Sequence, residues 1–106
     1  MQLFLYGTLL DPALLASIVG RELTFAPAML TGYRRVVLGG GRYPTLRRGR
    51  GTVHGAVVSV DAAALARLSD YEGAAYRLTA VVVRTRRGNT PARAWIAPGG
   101  TDRPWP

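Results

Sequence analysis

Two valine-rich apolar runs constrain this chain more than any other feature. Residues 52–60 hold Val53, Val57, Val58 and Val60, and residues 78–85 are centred on Val81, Val82 and Val83. β-Branched side chains favour extended backbone. A strand that is apolar along its whole length needs cover on both faces of its sheet. A closed or strongly curved sheet under helices provides that cover, so the expected fold is α+β: a small mixed β-barrel with flanking short helices. The chain has 106 residues, 48% of them hydrophobic. That suffices for one modest core, so residues 1–106 are expected to form a single domain.

The remaining segments fit this frame. Residues 2–6 read as a short apolar strand ended by Gly7. Asp11 is placed to cap a helix with Pro12 at its first position, and Leu14, Leu15, Ile18 and Val19 give that helix one apolar face ending at Gly20. From Leu23 to Leu38 the pattern is extended, broken by Pro27 and Gly32. Gly39-Gly40-Gly41 opens a loop carrying Arg42, Tyr43 and Pro44, with a short strand over 45–48 and a turn at Arg48-Gly49-Arg50-Gly51. Asp61 caps a second helix expected to end near Asp70, which leaves Tyr71 to Ala75 as a connection. Arg87-Gly88-Asn89 should turn the chain into a strand over 91–97, with a proline- and glycine-bearing tail after it.

Charge and composition narrow the chemistry. The net charge is +8, and all 14 basic residues are arginine. This fits either an electropositive binding surface or arginine replacing lysine through coding bias. The richness in alanine, glycine and arginine favours the second reading. Cysteine is absent, which excludes disulfides, thiolate metal sites and thiol nucleophiles. The apolar start, Met1 to Leu5, lacks the basic flank of a signal peptide, and Asp11-Pro12 interrupts it before it could span a bilayer. A cytoplasmic protein without a membrane partner is expected.

Catalytic residue types are few. There is one histidine, His54, inside a strand pattern where a structural role is the simpler reading. No nucleophile-elbow motif surrounds Ser17, Ser59 or Ser69. Of the six carboxylates, Asp11 and Asp61 are explained as caps, which leaves Glu22, Asp70, Glu72 and Asp102. Neither a metal pair nor a glycosidase carboxylate pair assembles easily from these.

Three segments could carry a site. Tyr6-Gly7-Thr8-Leu9-Leu10-Asp11-Pro12 is a strand-to-helix turn that can point backbone N–H groups into one concavity, although alone it reads more simply as a tight turn. Asp70-Tyr71-Glu72-Gly73-Ala74-Ala75-Tyr76-Arg77 places Glu72 beside an aromatic and a glycine. A carboxylate tucked at a barrel mouth would lose solvent and gain basicity; an exposed loop glutamate is the alternative. Arg42-Tyr43-Pro44 fits a pocket wall or a surface turn equally well.

Together these segments resemble the gamma-glutamylcyclotransferase-like superfamily, closest to the plant avirulence-induced-protein-like branch and its bacterial relatives. The matching pieces are Tyr6 to Pro12, Gly32-Tyr33-Arg34-Arg35, Tyr43-Pro44, Gly55-Ala56-Val57, and Leu68 to Gly73 through Tyr76-Arg77, over about residues 2–97. The resemblance implies a small mixed barrel whose Tyr6-Gly7-Thr8-Leu9 loop holds a glutamyl group. It implies Glu72 as general acid/base, with Tyr43 and Tyr76 lining the pocket. It implies cyclisation of a small anionic gamma-glutamyl substrate to 5-oxoproline with release of an amine or amino acid. No metal or cofactor is needed, and the protein would be a monomer or homodimer. Leu10 stands where many relatives outside this branch carry a polar or basic residue, so the leaving-group side is expected to differ. Relatives often continue past a pair like Pro104-Trp105, and without that extension the pocket is expected to be open.

Two other readings are kept. A non-catalytic ligand- or protein-binding module could use the same fold. An arginine-rich nucleic-acid-binding barrel could use Arg34-Arg35, Arg47-Arg48, Arg50, Arg84, Arg86 and Arg87, with Tyr33 and Tyr43 as stacking faces. Nucleic acid is not the favoured partner.

Overall fold

The computed structural model describes residues 1–39 and 43–105. Gly40, Gly41 and Arg42 of the expected glycine-rich loop, and Pro106 of the tail, lie outside the described residues. The elements run β1 (Gln2–Leu5), a 3-10 turn (Thr8–Leu10), α1 (Pro12–Val19), β2 (Ala26–Leu38), β3 (Pro44–Ser59), α2 (Ala62–Glu72), β4 (Arg77–Thr85), β5 (Gly88–Ile96) and β6 (Gly100–Pro104). Neighbours follow the order β3-β1-β5-β4-β2, and β2 pairs with β3 to close the ring. The β1–β5 contact is parallel, whereas β1–β3, β2–β3 and β4–β5 are antiparallel. The result is a closed five-stranded mixed barrel with two helices, and β6 adds to the second half of β2.

Side-chain alternation sorts the core into two layers. Phe4, Leu30, Val57 and Val83 fill the barrel. Leu3, Leu5 and Val58 face outward and are covered by Leu15 and Val19 of α1 and Leu68 of α2. β1 and the end of β3 are therefore apolar on both faces, whereas the second valine run is not covered on both: in β4 Val81 and Val83 are buried and Val82 between them is 60% exposed, contrary to expectation. Fully burying one such side chain stabilises by roughly 2 kcal/mol. Both helices begin as expected. Asp11 Oδ1 accepts from the Ala13 N–H at 3.0 Å, and Asp61 Oδ1 accepts from the Ala64 N–H at 2.8 Å.

Four further expectations are corrected. Residues 48–51 are not a turn: β3 continues through them, paired to β2 on both sides. Gly32, with φ +88, stands opposite Gly49 to Gly51, and Gly51 has φ +135. Such glycines permit a bulge as readily as a turn, and here the flanking pairing makes it a bulge. β2 likewise runs through Pro27 and Gly32 without a break. α2 continues past Asp70 to Glu72, because the stop is Gly73 with φ +81. The β4–β5 hairpin turns on Arg86-Arg87, one residue earlier than expected, with Thr85 opposite Gly88.

Two of the arginine runs meet across the β2–β3 ladder. Arg34 and Arg47 are cross-strand neighbours, and Asp102 of β6 accepts from both. This relieves a like-charge pairing that would otherwise destabilise the ladder. Arg48 lies over the Tyr33 ring, 5.3 Å from its centroid. Among the described residues no helix is long and apolar enough to cross a membrane.

The chain between β5 and β6 is held by one buried hydroxyl. Thr45 is fully buried; its Oγ1 donates to the Ala97 carbonyl at 3.1 Å and accepts from the Ala97 N–H at 2.9 Å. Thr45→Val keeps the shape and leaves both Ala97 groups without that partner. Urea denaturation is expected to show a loss of about 2 kcal/mol. Thr45→Ser keeps the hydroxyl and should lose less, about 1 kcal/mol.

Candidate active site

A cavity of about 250 Å³ opens where the end of β1, the start of β3 and the end of α2 converge. The residues to which the resemblance gives a place in the site all line it: Tyr6, Gly7, Thr8, Leu9, Tyr43, Glu72 and Tyr76. Phe4, Leu5, Pro44, Tyr71 and Trp95 also line it and were not among them. Trp95 carried no local signal, since its place depends on how β5 lies beside β1. Tyr71 was assigned to a connection; it is exposed on the last turn of α2, next to Glu72.

The loop after β1 is shaped by its own hydrogen bonds. The Leu10 N–H donates to the Gly7 carbonyl at 3.0 Å, and the Asp11 N–H to the Thr8 carbonyl at 3.2 Å. A single turn leaves the N–H groups that open it without partners inside the turn. Gly7 is required by close approach: a Cβ there would lie 2.7 Å from Cγ of Pro44. Pro44 is held in turn, because the Tyr76 hydroxyl donates to its carbonyl at 2.7 Å. Tyr76 therefore anchors the cavity wall as well as lining it. The Tyr6 hydroxyl donates to the Trp95 carbonyl and ties β1 to β5 across the floor.

Electrostatics single out Glu72. Burial lifts its carboxyl from the ordinary 4.5 to about 7. Its position on the last residue of a helix, where carbonyl groups point outward, acts in the same direction. Tyr76 is pushed up to about 12 by burial, then by the charges of Glu72 and Tyr43, so its proton stays committed to Pro44 near neutral pH. Tyr6 is also raised, chiefly by burial. Among the described residues, no arginine or histidine lines the cavity. No described cation offsets the burial of Glu72, and with its carboxyl raised to about 7 it exchanges a proton near neutral pH.

The same burial predicts a stability signature. The folded state holds the Glu72 proton up to about pH 7, and the unfolded chain releases it near 4.5. Between those values the folded state binds the extra proton, so stability falls as pH rises through that window. Glu72→Gln removes the penalty. Part of the carboxyl still meets solvent, so the variant is expected to gain about 1–2 kcal/mol on the parent between pH 4 and pH 8. Urea midpoints at the two pH values measure this, and a pH-independent difference would contradict it.

A family model described as gamma-glutamyl cyclotransferase, AIG2-like, matches residues 3–103. Protein AIG2 C of Arabidopsis thaliana is 40% identical over 84 residues, covering 76% of this chain and 51% of that protein. The chain therefore spans about half the length of this curated relative. The solution structure of At3g28950.1 from Arabidopsis thaliana matches with a TM-score of 0.81 at 31% identity, over 91% of this chain and 61% of that one. A structure of a gamma-glutamyl cyclotransferase shares the fold, with a TM-score of 0.83 at 18% identity over 95% of this chain and 68% of that one. On the family match over nearly its whole length, this chain belongs to the AIG2-like gamma-glutamyl cyclotransferase family.

Proposed function

We propose that this protein closes a gamma-glutamyl group into 5-oxoproline and releases the attached amine, with Glu72 as general acid/base. The observation that carries this reading is a partly buried carboxylate titrating near 7 across a small cavity from the Tyr6-Gly7-Thr8-Leu9 loop, in a chain of this family. The substrate brings its own nucleophile, the free α-amine. Five-membered ring closure is intramolecular, so holding the chain folded supplies a large part of the acceleration.

The roles follow from that need. Backbone N–H groups of residues 7–9 grip the α-carboxylate and meet the side-chain carbonyl oxygen as it gains charge. Glu72 takes a proton from the α-ammonium. The freed amine forms the new N–C bond, and the amide bond to the leaving amine breaks as Glu72 returns its proton to that amine; the second proton, shed by the ring nitrogen, passes by the same carboxylate to the released amine, which departs as an ammonium. A base near 7 suits both transfers better than one near 4.5. Tyr43 and Tyr71, both exposed at the cavity, flank the exit of the leaving group.

The test is 5-oxoproline release from a panel of gamma-glutamyl amines, gamma-glutamyl dipeptides and glutathione. The parent is expected to turn over at least one member and Glu72→Gln none, losing at least about a hundredfold. For the best member, kcat/KM should rise with pH on a limb centred near 7, because Glu72 must be ionised to accept the proton. Equal rates in parent and variant would remove Glu72 from the mechanism. The best substrate would identify the leaving amine.

A further inference from the structure

Behind the cavity loop lies a guanidinium that no carboxylate neutralises among the described residues. Arg35 stands on β2 opposite Leu46, and its Nη1 donates to the Tyr6 carbonyl at 2.8 Å. Its Nε is buried without a hydrogen-bond partner there. Trp105 holds the group from another side. The indole centroid lies 5.0 Å from the guanidinium carbon, and the Trp105 backbone N–H donates to the Arg35 carbonyl at 3.1 Å. The ion pairs among the described residues join Arg21, Arg34 and Arg47 to Asp61 and Asp102, and none includes Arg35.

The acceptor is what gives this arrangement meaning. The Tyr6 carbonyl and the Gly7 N–H belong to one peptide unit. That unit is planar and trans, so its oxygen and hydrogen point in opposite directions. A carbonyl turned onto Arg35 turns the Gly7 N–H away from Arg35. Tyr6 and Gly7 line the cavity, whereas Arg35 does not. A hydrogen bond from a cation is stronger than a neutral one, and it polarises the next donor in the chain.

We propose that Arg35 is a positioning residue for the reaction: it fixes the Tyr6–Gly7 peptide with its N–H facing the cavity and strengthens that N–H as a donor to the substrate carbonyl oxygen. Trp105 keeps the guanidinium in place, so the C-terminal strand contributes to the site without touching substrate. An arginine that only fastened β2 to β1 would affect folding and leave donor strength alone. The substrate half of this proposal rests on the cyclotransferase reading; the peptide half does not.

The experiment compares the parent with Arg35→Met and Arg35→Lys in 15N-labelled full-length protein. The Gly7 amide nitrogen reports on hydrogen bonding to the carbonyl before it. In Arg35→Met that resonance is expected to move upfield while the fold is retained, and in Arg35→Lys it should lie between the other two. With the best panel substrate, kcat is expected to fall about tenfold or more in Arg35→Met, with KM changed by less than about threefold. Arg35→Lys should recover part of the loss. An unmoved Gly7 resonance in folded Arg35→Met would overturn the proposal. So would parent-like turnover, or a loss confined to KM. If the parent releases no 5-oxoproline from any substrate, the cyclotransferase reading fails and the Gly7 resonance alone decides for or against Arg35. Should Arg35→Met not fold, Trp105→Leu replaces it, with a shift of the same sign expected and an unmoved resonance overturning the proposal.

Discussion

The double burial of β1 fixes the rest of the molecule. Leu3, Phe4 and Leu5 are almost wholly enclosed, with Phe4 in the barrel and Leu3 and Leu5 beneath the helices. The strand also pairs with β3 on one side and β5 on the other. A four-residue strand held on four sides has no freedom to slide, since a one-residue slip would exchange its two faces. The chain therefore leaves the barrel at Tyr6 in one place and one direction. The loop at Gly7 inherits that precision without a rigid structure of its own. Pro44 then closes on it, and Tyr76 closes on Pro44.

Glu72 shows the opposite economy. Its carboxyl would be more stable in water, and the fold holds it where ionisation is disfavoured. The helix that carries it is anchored well before its end, by Ala64 and Leu68 packed beneath α1. The last turn bears the unfavourable group, and Gly73 allows the chain to leave at once. Stability is concentrated in the first part of α2, and the carboxyl raised by burial sits at its last residue. A carboxylate placed mid-helix on the buried face would have cost core packing as well as solvation.

Local chemistry was legible in the sequence, and pairing chemistry was not. The two aspartate caps, the valine strands and the loop after β1 depend on neighbours a few residues away, and they formed where expected. The glycines at 49–51 satisfy a turn or a bulge equally well until β2 lies alongside, so no local rule could choose between them. The end of α2 was misplaced because Asp70 is a poor residue for a last helical turn, yet Gly73 was the effective stop. The cavity followed the same division. Its loop and its carboxylate sit in recognisable motifs, whereas Trp95 arrives on a distant strand and Tyr71 through two extra helical residues. Arg35 appeared only as part of a motif, because its importance lies in an acceptor 29 residues away.

The distribution of charge explains how a strongly basic chain can host a weakly acidic base. Asp11 and Asp61 are engaged at helix ends, and Asp102 is shared by Arg34 and Arg47. Glu22 and Asp70 are not among the lining residues, and Glu72 is the one carboxylate among the described residues lining the cavity. An arginine placed beside it to attract an anionic substrate would also pair with it and drive its pKa down, out of the range useful for proton transfer. Attraction and basicity therefore have to come from different places. The surface field of the arginines acts at long range. At short range Arg35 acts through a peptide bond, so its charge reaches the loop without adding a cation to the cavity wall beside Glu72.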